Sequence, residues 1–154
     1  MSTIVQSIDV RVPVRTAYNQ WTQFEEFPRF MEGVEKVEQL DDTRLHWVAK
    51  VAGKKKEWDA EITEQTPDQR VAWTATSGAP NGGVVTFHRI DDSTTRVTVQ
   101  MELEPEGPVE AVGAAAGMPD RRVKADLDRF KQFIESRGTE TGAWRGEVKQ
   151  DDMR

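Results

Sequence analysis

The clearest structural signal in this chain lies in residues 44–62, which read RLHWVAKVAGKKKEWDAEI. Apolar and polar residues alternate on both sides of Gly53, and this period of two is typical of half-buried antiparallel strands. With a glycine at the first central position, a two-residue type II′ turn is the natural connection. This turn places Trp47 opposite Ala60. One face of the predicted hairpin is then aromatic and apolar, and the other face is charged.

The same alternation continues on both sides of the hairpin. Between residues 34 and 105 it predicts six short strands whose apolar residues share one phase, and therefore one face of a sheet. Turn-forming residues separate these strands. Pro67-Asp68 indicates a type I turn, and residues 77–83 indicate a seven-residue Gly/Pro/Asn loop. A further strand is predicted near the N-terminus, over residues 4–12.

Apolar residues with helical spacing occur near both ends of the chain. Residues 15–24 predict a helix, and residues 25–31 predict a second short helical turn. Near the C-terminus, one apolar stripe predicts a long amphipathic helix that is formed by Val123, Leu127, Phe130 and Ile134. Gly138 is a good stop signal for this helix. Residues 109–116 are also compatible with a helix, which Pro119 is expected to break or kink.

Length and composition fit one domain. The chain has 154 residues, which is enough to bury a core but too short for two domains of common size. We expect residues 1–137 to form this domain. Residues 138–154 are polar and rich in Gly and Thr, so we expect a mobile polar tail with Trp144 as its only large anchor.

The charge balance and the residue types exclude several functional classes. The net charge is −6, whereas a nucleic-acid partner requires a positive face, so no nucleic-acid partner is expected. The chain contains no cysteine, which excludes a disulfide framework, a thiolate nucleophile and a cysteine-type zinc site. It contains no long apolar run and no signal peptide. We therefore expect no integral membrane segment and a cytoplasmic location.

Candidate catalytic and metal-binding side chains are few. The only two histidines are His46 and His88, and the alternation places both on the polar face, with His46 beside Glu61. Three carboxylates alternate with apolar residues, so we expect them to point outward and to pair with Lys50 and its neighbours; they are Glu57, Asp59 and Glu61. Phosphate-binding and dinucleotide-binding fingerprints are absent from the sequence. We expect neither a metal nor a cofactor.

Several stretches of this sequence carry a family resemblance. They are Trp58-Asp59-Ala60-Glu61-Ile62, Val71-Ala72-Trp73, the segment 77–87 (SGAPNGGVVTF), Thr95-Arg96-Val97 and residues 126–131 (DLDRFK). Over residues 3–137 the chain resembles the SRPBCC (START/Bet v 1-like) superfamily. Within this superfamily it is most similar to bacterial proteins labelled polyketide cyclase/dehydrase and to related lipid-binding proteins.

The resemblance implies an α+β helix-grip fold. In this fold a curved seven-stranded antiparallel sheet wraps around a long C-terminal helix, two short helices lie between strands 1 and 2, and an apolar cavity separates sheet and helix. Aromatase/cyclases of this superfamily are thought to use an Arg and a Tyr that project into the cavity. The corresponding positions in this chain hold Ile62 and Val34. Their aliphatic side chains cannot stabilise a developing enolate.

The tryptophans point to a ligand site. Trp47, Trp58 and Trp73 lie on three strands in the same apolar phase, and aromatic walls with few polar atoms are usual for small-molecule sites. The alternative is that these rings simply fill the core under the last helix. The residues that we expect to contact a ligand are Phe27, Phe30, Met31, Trp47, Trp58, Ile62, Trp73, Phe87, Met101 and Met118.

Three functional hypotheses remain open. We favour the binding of a hydrophobic small molecule, such as a polyketide, quinone, isoprenoid or lipid, between the sheet and the C-terminal helix. The second hypothesis is a polyketide cyclase/dehydratase-like enzyme that acts on a poly-β-ketone, with Arg70 or Arg89 in the cavity if the strand phases differ from those above. The third is an interaction module with a residual cavity. The sequence is also compatible with a homodimer.

Overall fold

The computed structural model of the protein describes residues 2–51, 53–77, 81–103 and 118–148. In chain order its elements are β1 (Ser2–Val10), α1 (Val14–Trp21), a 3₁₀ helix (Phe24–Arg29), β2 (Val34–Gln39), β3 (Arg44–Val51), β4 (Lys54–Thr66), β5 (Arg70–Ala75), β6 (Asn81–Asp91), β7 (Thr94–Leu103) and α2 (Met118–Arg137). The strands form one seven-stranded sheet in the order β1-β7-β6-β5-β4-β3-β2.

The sheet is antiparallel throughout, and its topology explains its curvature. Strands β2 to β7 follow one another as hairpins, while α1 and the 3₁₀ helix connect the two edge strands, β1 and β2. The register shifts within β2–β3, β4–β5 and β6–β7, and such irregularities bend a strand and increase its twist. The predicted α+β fold, a curved seven-stranded sheet with one long C-terminal helix, is confirmed.

The predicted hairpin has the correct faces but the wrong register. Val51 pairs with Lys54, and Gly53, with φ of +81°, directly precedes Lys54, so it stands second between the paired residues, whereas the sequence predicted it first in the turn. Trp47 therefore lies opposite Trp58 and not opposite Ala60. A slip of two residues leaves every side chain on its predicted face, because the side-chain period of a strand is two.

Two further turn predictions need correction. In the turn after β4, Gln69 donates to the carbonyl of Thr66 at 3.0 Å, but Asp68 has φ of +63°, which excludes the predicted type I turn. The predicted loop over 77–83 is shorter than expected, because β6 already begins at Asn81.

The apolar stripe of α2 packs into the core as predicted. Leu127 is 3% exposed, and Phe130 and Ile134 are fully buried. The Phe130 ring lies 5.1 Å from the ring of Trp21 and 5.2 Å from that of Phe30. Full burial of an aromatic side chain of this kind contributes about 1.5–3 kcal/mol. These rings fix α2 against both α1 and the end of the 3₁₀ helix.

The segment after α2 differs from the mobile tail that the sequence predicts. Gly138, with φ of +73°, ends the helix as expected and donates to the carbonyl of Ile134 at 2.9 Å. The chain then turns back onto the domain. Val148 and Gln65 exchange two backbone hydrogen bonds of 2.8 and 2.9 Å, and Trp144 packs against the core. Residues 138–148 are thus held by contacts with the domain.

The predicted helical segment 109–116 lies outside the described residues. Pro119 occupies the second position of α2, in the first turn, where its missing N–H is tolerated. Among the helices that the structure describes, none is both long and apolar enough to span a membrane.

Candidate functional site

Each of the seven strands has either its first or its last residue at one common end of the sheet. Strands β1, β2, β4 and β6 begin at this end, and β3, β5 and β7 finish there. We call it the mouth end. The N-terminal part of α2 lies nearer to it than the C-terminal part does, because Gln6 of β1 bonds Asp120 whereas Arg11, beyond β1, bonds Glu135.

In six elements the exposure of the inward-facing apolar side chains falls with distance from the mouth end, whereas Ile4 on β1 and Ala49 on β3 are buried although they lie near that end. At the mouth end these side chains are half-buried in six elements, and they are Val34, Trp47, Trp58, Trp73, Met101 and Val123. The next inward residues of the same elements are all buried, with at most 5% exposure; they are Val37, Leu45, Ala60, Val71, Val99 and Leu127. The apolar interior is therefore accessible at the mouth end and closed below it.

Two of the three tryptophans form a stacked pair. Trp47 and Trp58 are direct cross-strand neighbours, with ring centroids 5.8 Å apart and an interplanar angle of 6°. The Phe27 ring supports the pair from below, with its centroid 5.6 Å from that of Trp47. Such aromatic contacts contribute about 0.5–1.5 kcal/mol beyond the burial of area. The pair is consequently a rigid, flat surface.

Two alanines lie between the stacked pair and Trp73. Along β4, Ala60 lies between Trp58 and Ile62 in the inward phase, and Ile62 is the cross-strand neighbour of Trp73. Ala60 itself pairs with Ala75. Two methyl groups thus separate the stacked pair from Trp73, over about 7 Å along each strand. We refer to Trp47, Trp58 and Trp73 as the aromatic wall.

The residues predicted to contact a ligand fall into two groups. Five are half-buried at the mouth end, namely Met31, Trp47, Trp58, Trp73 and Met101. Four are buried in the core below the mouth end, namely Phe27, Phe30, Ile62 and Phe87. Met118 begins α2, but its side chain lies outside the described part of the chain. The structure therefore separates a set of accessible residues from a packed floor.

The predicted outward face carries a histidine held by two carboxylates. His46 Nδ1 lies 2.6 Å from an Asp59 carboxylate oxygen, and its Nε2 lies 3.2 Å from a Glu57 oxygen. These hydrogen bonds raise the pKa of His46 above its usual value. The partner of these carboxylates is thus His46, whereas the sequence predicted Lys50, which pairs with Glu35 at 3.9 Å.

The two arginines considered for the cavity lie outside it. Arg70 is exposed and reaches Glu64 at 3.6 Å, and Arg89 is exposed and pairs with Asp92. At the positions where the resemblance implies a catalytic Arg and Tyr, Ile62 is fully buried and Val34 is half-buried.

A set of contacts that sequence reasoning missed ties α2 to the segment before β2. The Asp126 carboxylate accepts from the backbone N–H of Glu32 at 3.2 Å and from the Arg129 side chain. Arg129 Nε donates to the carbonyl of Phe30 at 2.9 Å. Burial raises the pKa of Asp126 although these donors act against it. The contacts hold the segment around Met31 in place at the mouth end.

A second missed feature lies at the opposite end of the interior. Tyr18 Oη, both amide atoms of Gln65 and Asp68 Oδ1 are buried, and none of them meets the geometric criteria of a hydrogen bond to another described residue, although Tyr18 and Gln65 lie close enough to influence each other. Burial raises the pKa of the Tyr18 hydroxyl. Gln65 follows Trp58 by seven positions on β4, which corresponds to about 23 Å of strand. Buried rings, among them Phe27 and Phe87, separate this polar cluster from the aromatic wall.

The structure also contains a groove of about 500 Å³ at the corner where β5, β6, β7 and β1 meet. Thr74, Gln100 and Glu102 line it, and all three are exposed in the outward phase. No tryptophan lines this groove. It shares Ala75 and the predicted contact residue Met101 with the mouth end, but it includes none of the three tryptophans of the aromatic wall.

One family model and one curated protein match this chain over most of its length. A family model described as polyketide cyclase/dehydrase and lipid transport matches residues 10–132. An uncharacterized 17.2 kDa protein of Streptomyces lincolnensis is 60% identical over 149 residues, which cover 96% of this chain and 99% of the relative.

Solved structures share the fold. The ZhuI aromatase/cyclase from Streptomyces sp. R1128 superimposes with a TM-score of 0.76 at 14% identity, over 93% of this chain and 99% of the other. A START superfamily protein from Mycobacterium smegmatis gives a TM-score of 0.72 at 11% identity, over 87% and 97% of the two chains. These likenesses confirm the helix-grip fold that the resemblance implies.

Proposed function

The chain belongs to the polyketide cyclase/dehydrase and lipid transport family, and from this membership we propose that it binds a hydrophobic small molecule at the mouth end, against the aromatic wall. Family and fold support hydrophobic ligand binding in general. The proposal adds the place, the contact residues and the non-catalytic role. A polyketide, a quinone, an isoprenoid and a lipid all suit such a surface.

The partial exposure of the three indoles of the aromatic wall carries this proposal. A core that served packing alone would bury its largest side chains, whereas here all three indoles of the wall remain half-buried. Aliphatic and methionine side chains complete the surface on the facing elements, with Val34 on β2 and Val123 on α2. Concave apolar surfaces with few polar atoms are the usual form of small-ligand sites.

A cyclase/dehydratase-like reaction on a poly-β-ketone is the second candidate, and the fold shared with an aromatase/cyclase favours it. This reaction needs a polar group that stabilises a developing enolate next to the bound chain. The position implied for the Arg holds the fully buried Ile62. Binding without catalysis therefore agrees better with the side chains at the mouth end.

Native mass spectrometry of the purified protein, followed by organic extraction and identification of any co-purified molecule, tests the proposal directly. Titration with a hydrophobic fluorescent probe gives an affinity for variants. We expect Trp58→Ala to weaken probe binding about tenfold, because it removes one face of the stacked pair. Trp144→Ala is the matched control, since Trp144 lies in the segment that packs beside α1. Equal effects of the two substitutions, or no bound species and no probe binding, would refute the proposed site.

The remaining expectations from the sequence stay predictions. They concern the cytoplasmic location, the absence of a nucleic-acid partner, a homodimer and the domain limits. Sedimentation at several protein concentrations would test the homodimer.

A further inference from the structure

One polar group of the aromatic wall is buried without a hydrogen-bond partner among the described residues. The indole Nε1 of Trp47 is buried and has no hydrogen-bond acceptor among the described residues. A buried donor without an acceptor costs about 1–3 kcal/mol, so native structures normally supply a partner. The partner of Trp47 therefore lies outside the described residues, either in a bound molecule or in the part of the chain that the structure does not describe.

Water is a poor partner at this position. A buried water molecule usually makes about three hydrogen bonds and needs several polar neighbours. Three neighbours of the Trp47 side chain are apolar, namely the stacked ring of Trp58, the ring of Phe27 and the cross-strand neighbour Val37. A water molecule bound to Nε1 would find no second partner among these three. An acceptor attached to an apolar molecule has no such requirement.

From these observations we propose that the ligand carries an uncharged acceptor oxygen, such as a ketone or quinone carbonyl, which accepts a hydrogen bond from Trp47 Nε1. This inference rests on the proposed function and names the substrate class of the same site. A pure hydrocarbon would leave the donor unpaired.

A carboxylate suits this position less well than a carbonyl. Burying a charged group is costly unless an opposite charge lies beside it. The cations of β3 do not meet this need, because Arg44 and Lys50 are exposed on the outward face. There they pair with Asp41 at 2.6 Å and with Glu35 at 3.9 Å. A carboxylate at Trp47 would thus find no cation on β3, although the Arg122 guanidinium of α2 lies beside Gly33 at the mouth end, so the acid is tested directly.

Two probes of nearly equal shape, one with a carbonyl group and one without, measure how much the hydrogen bond to Trp47 contributes to binding. 2-Acetylnaphthalene and 2-isopropenylnaphthalene differ in replacing C=O by C=CH₂. Their dissociation constants are measured by equilibrium dialysis for the parent protein, for Trp47→Phe and for Trp58→Phe. Both substitutions replace an indole of the stacked pair by the smaller phenyl ring, but only Trp47→Phe removes the unpaired N–H. We expect the preference for the ketone over the alkene to fall about fivefold in Trp47→Phe and to stay unchanged in Trp58→Phe.

The possible outcomes separate the inference from the proposed function. If neither probe binds the parent protein, the proposed function fails and the inference fails with it. If both probes bind and the preference for the ketone is the same in all three proteins, or falls equally in both variants, the site stands and the hydrogen bond to Trp47 is refuted. 2-Naphthoate is the third probe. If Trp47→Phe weakens the binding of this acid as much as it weakens the binding of the ketone, the proposal that the ligand is uncharged is refuted.

Discussion

Replacing Arg145 by alanine tests whether the segment after α2 is part of the folded domain. Arg145 Nη1 donates to Asn19 Oδ1 at 2.6 Å, and its Nη2 donates to Asp68 Oδ2 at 2.9 Å. The guanidinium also lies 5.6 Å from the centre of the Tyr18 ring. Asn19 is only 4% exposed, so its amide oxygen would be left buried without this donor.

The expected loss follows from these contacts. A hydrogen bond from a charged donor to a buried acceptor contributes about 1.5–3 kcal/mol. The ion pair with Asp68 adds less, about 0.2–1 kcal/mol, because the two side chains are 27% and 34% exposed and solvent screens them. Since neighbouring contacts are not additive, we expect Arg145→Ala to lower the free energy of unfolding by about 2–3 kcal/mol.

Urea unfolding followed by tryptophan fluorescence measures this difference. Arg70→Ala is the matched control, because it removes an exposed arginine whose ion pair with Glu64 is 3.6 Å long. We expect this control to change the free energy of unfolding by less than about 0.5 kcal/mol. A similarly small change in Arg145→Ala would refute the docking of the segment and would restore the mobile tail that the sequence predicts.

Three further predictions address the core, one strand and one titratable group. Phe130→Ala should cost about 3–5 kcal/mol in urea unfolding, because the ring is fully buried among other rings; a loss below 1 kcal/mol would contradict this packing. Gly83→Ala should cost about 1–3 kcal/mol, since a Cβ would lie 2.5 Å from the carbonyl oxygen of Gln100, and unchanged stability would show that the strands do not approach so closely. His46 has a raised pKa in the folded state, so its stabilising effect is full below its unfolded pKa of about 6.5 and is lost as the pH rises through the folded pKa. Urea unfolding from pH 5.5 to 9 should therefore show a loss of about 0.5 kcal/mol in the parent that is missing in His46→Gln; identical pH profiles would contradict it.

Alternation along the strands predicted the face of the sheet on which each side chain lies, but it could not predict depth. The period of two assigns Trp58 and Ile62 to the same face and does not distinguish their depths. The structure places the first half-buried at the mouth end and the second in the packed floor. Depth depends on where α2 crosses the sheet, and the sequence of one strand carries no information about that crossing. For the same reason the hairpin register could slip by two residues without any change of face.

The docked segment was missed because most of its contacts with α1 are polar, although Trp144 and Val148 also pack against the core. Burial is normally read from apolar periodicity, yet the face of α1 that receives residues 139–148 carries Asn19, Gln20 and Thr22, all at most 4% exposed. Their partners on the segment are polar as well, since Thr141 exchanges hydrogen bonds with Gln20 at 2.8 and 3.1 Å. A contact made of complementary hydrogen bonds leaves no hydrophobic pattern in the sequence.

The packed floor also limits what the mouth end can hold. From Trp58 to Ala60, which is 1% exposed, the chain advances two residues along β4, or about 7 Å. Below that depth Ile62 and Phe130 are fully buried, so a deeper guest would have to displace close-packed side chains. The buried polar cluster around Tyr18 and Gln65 lies beyond this floor and contributes nothing to such a guest. A molecule longer than this depth must therefore fold back or extend past the mouth end into solvent.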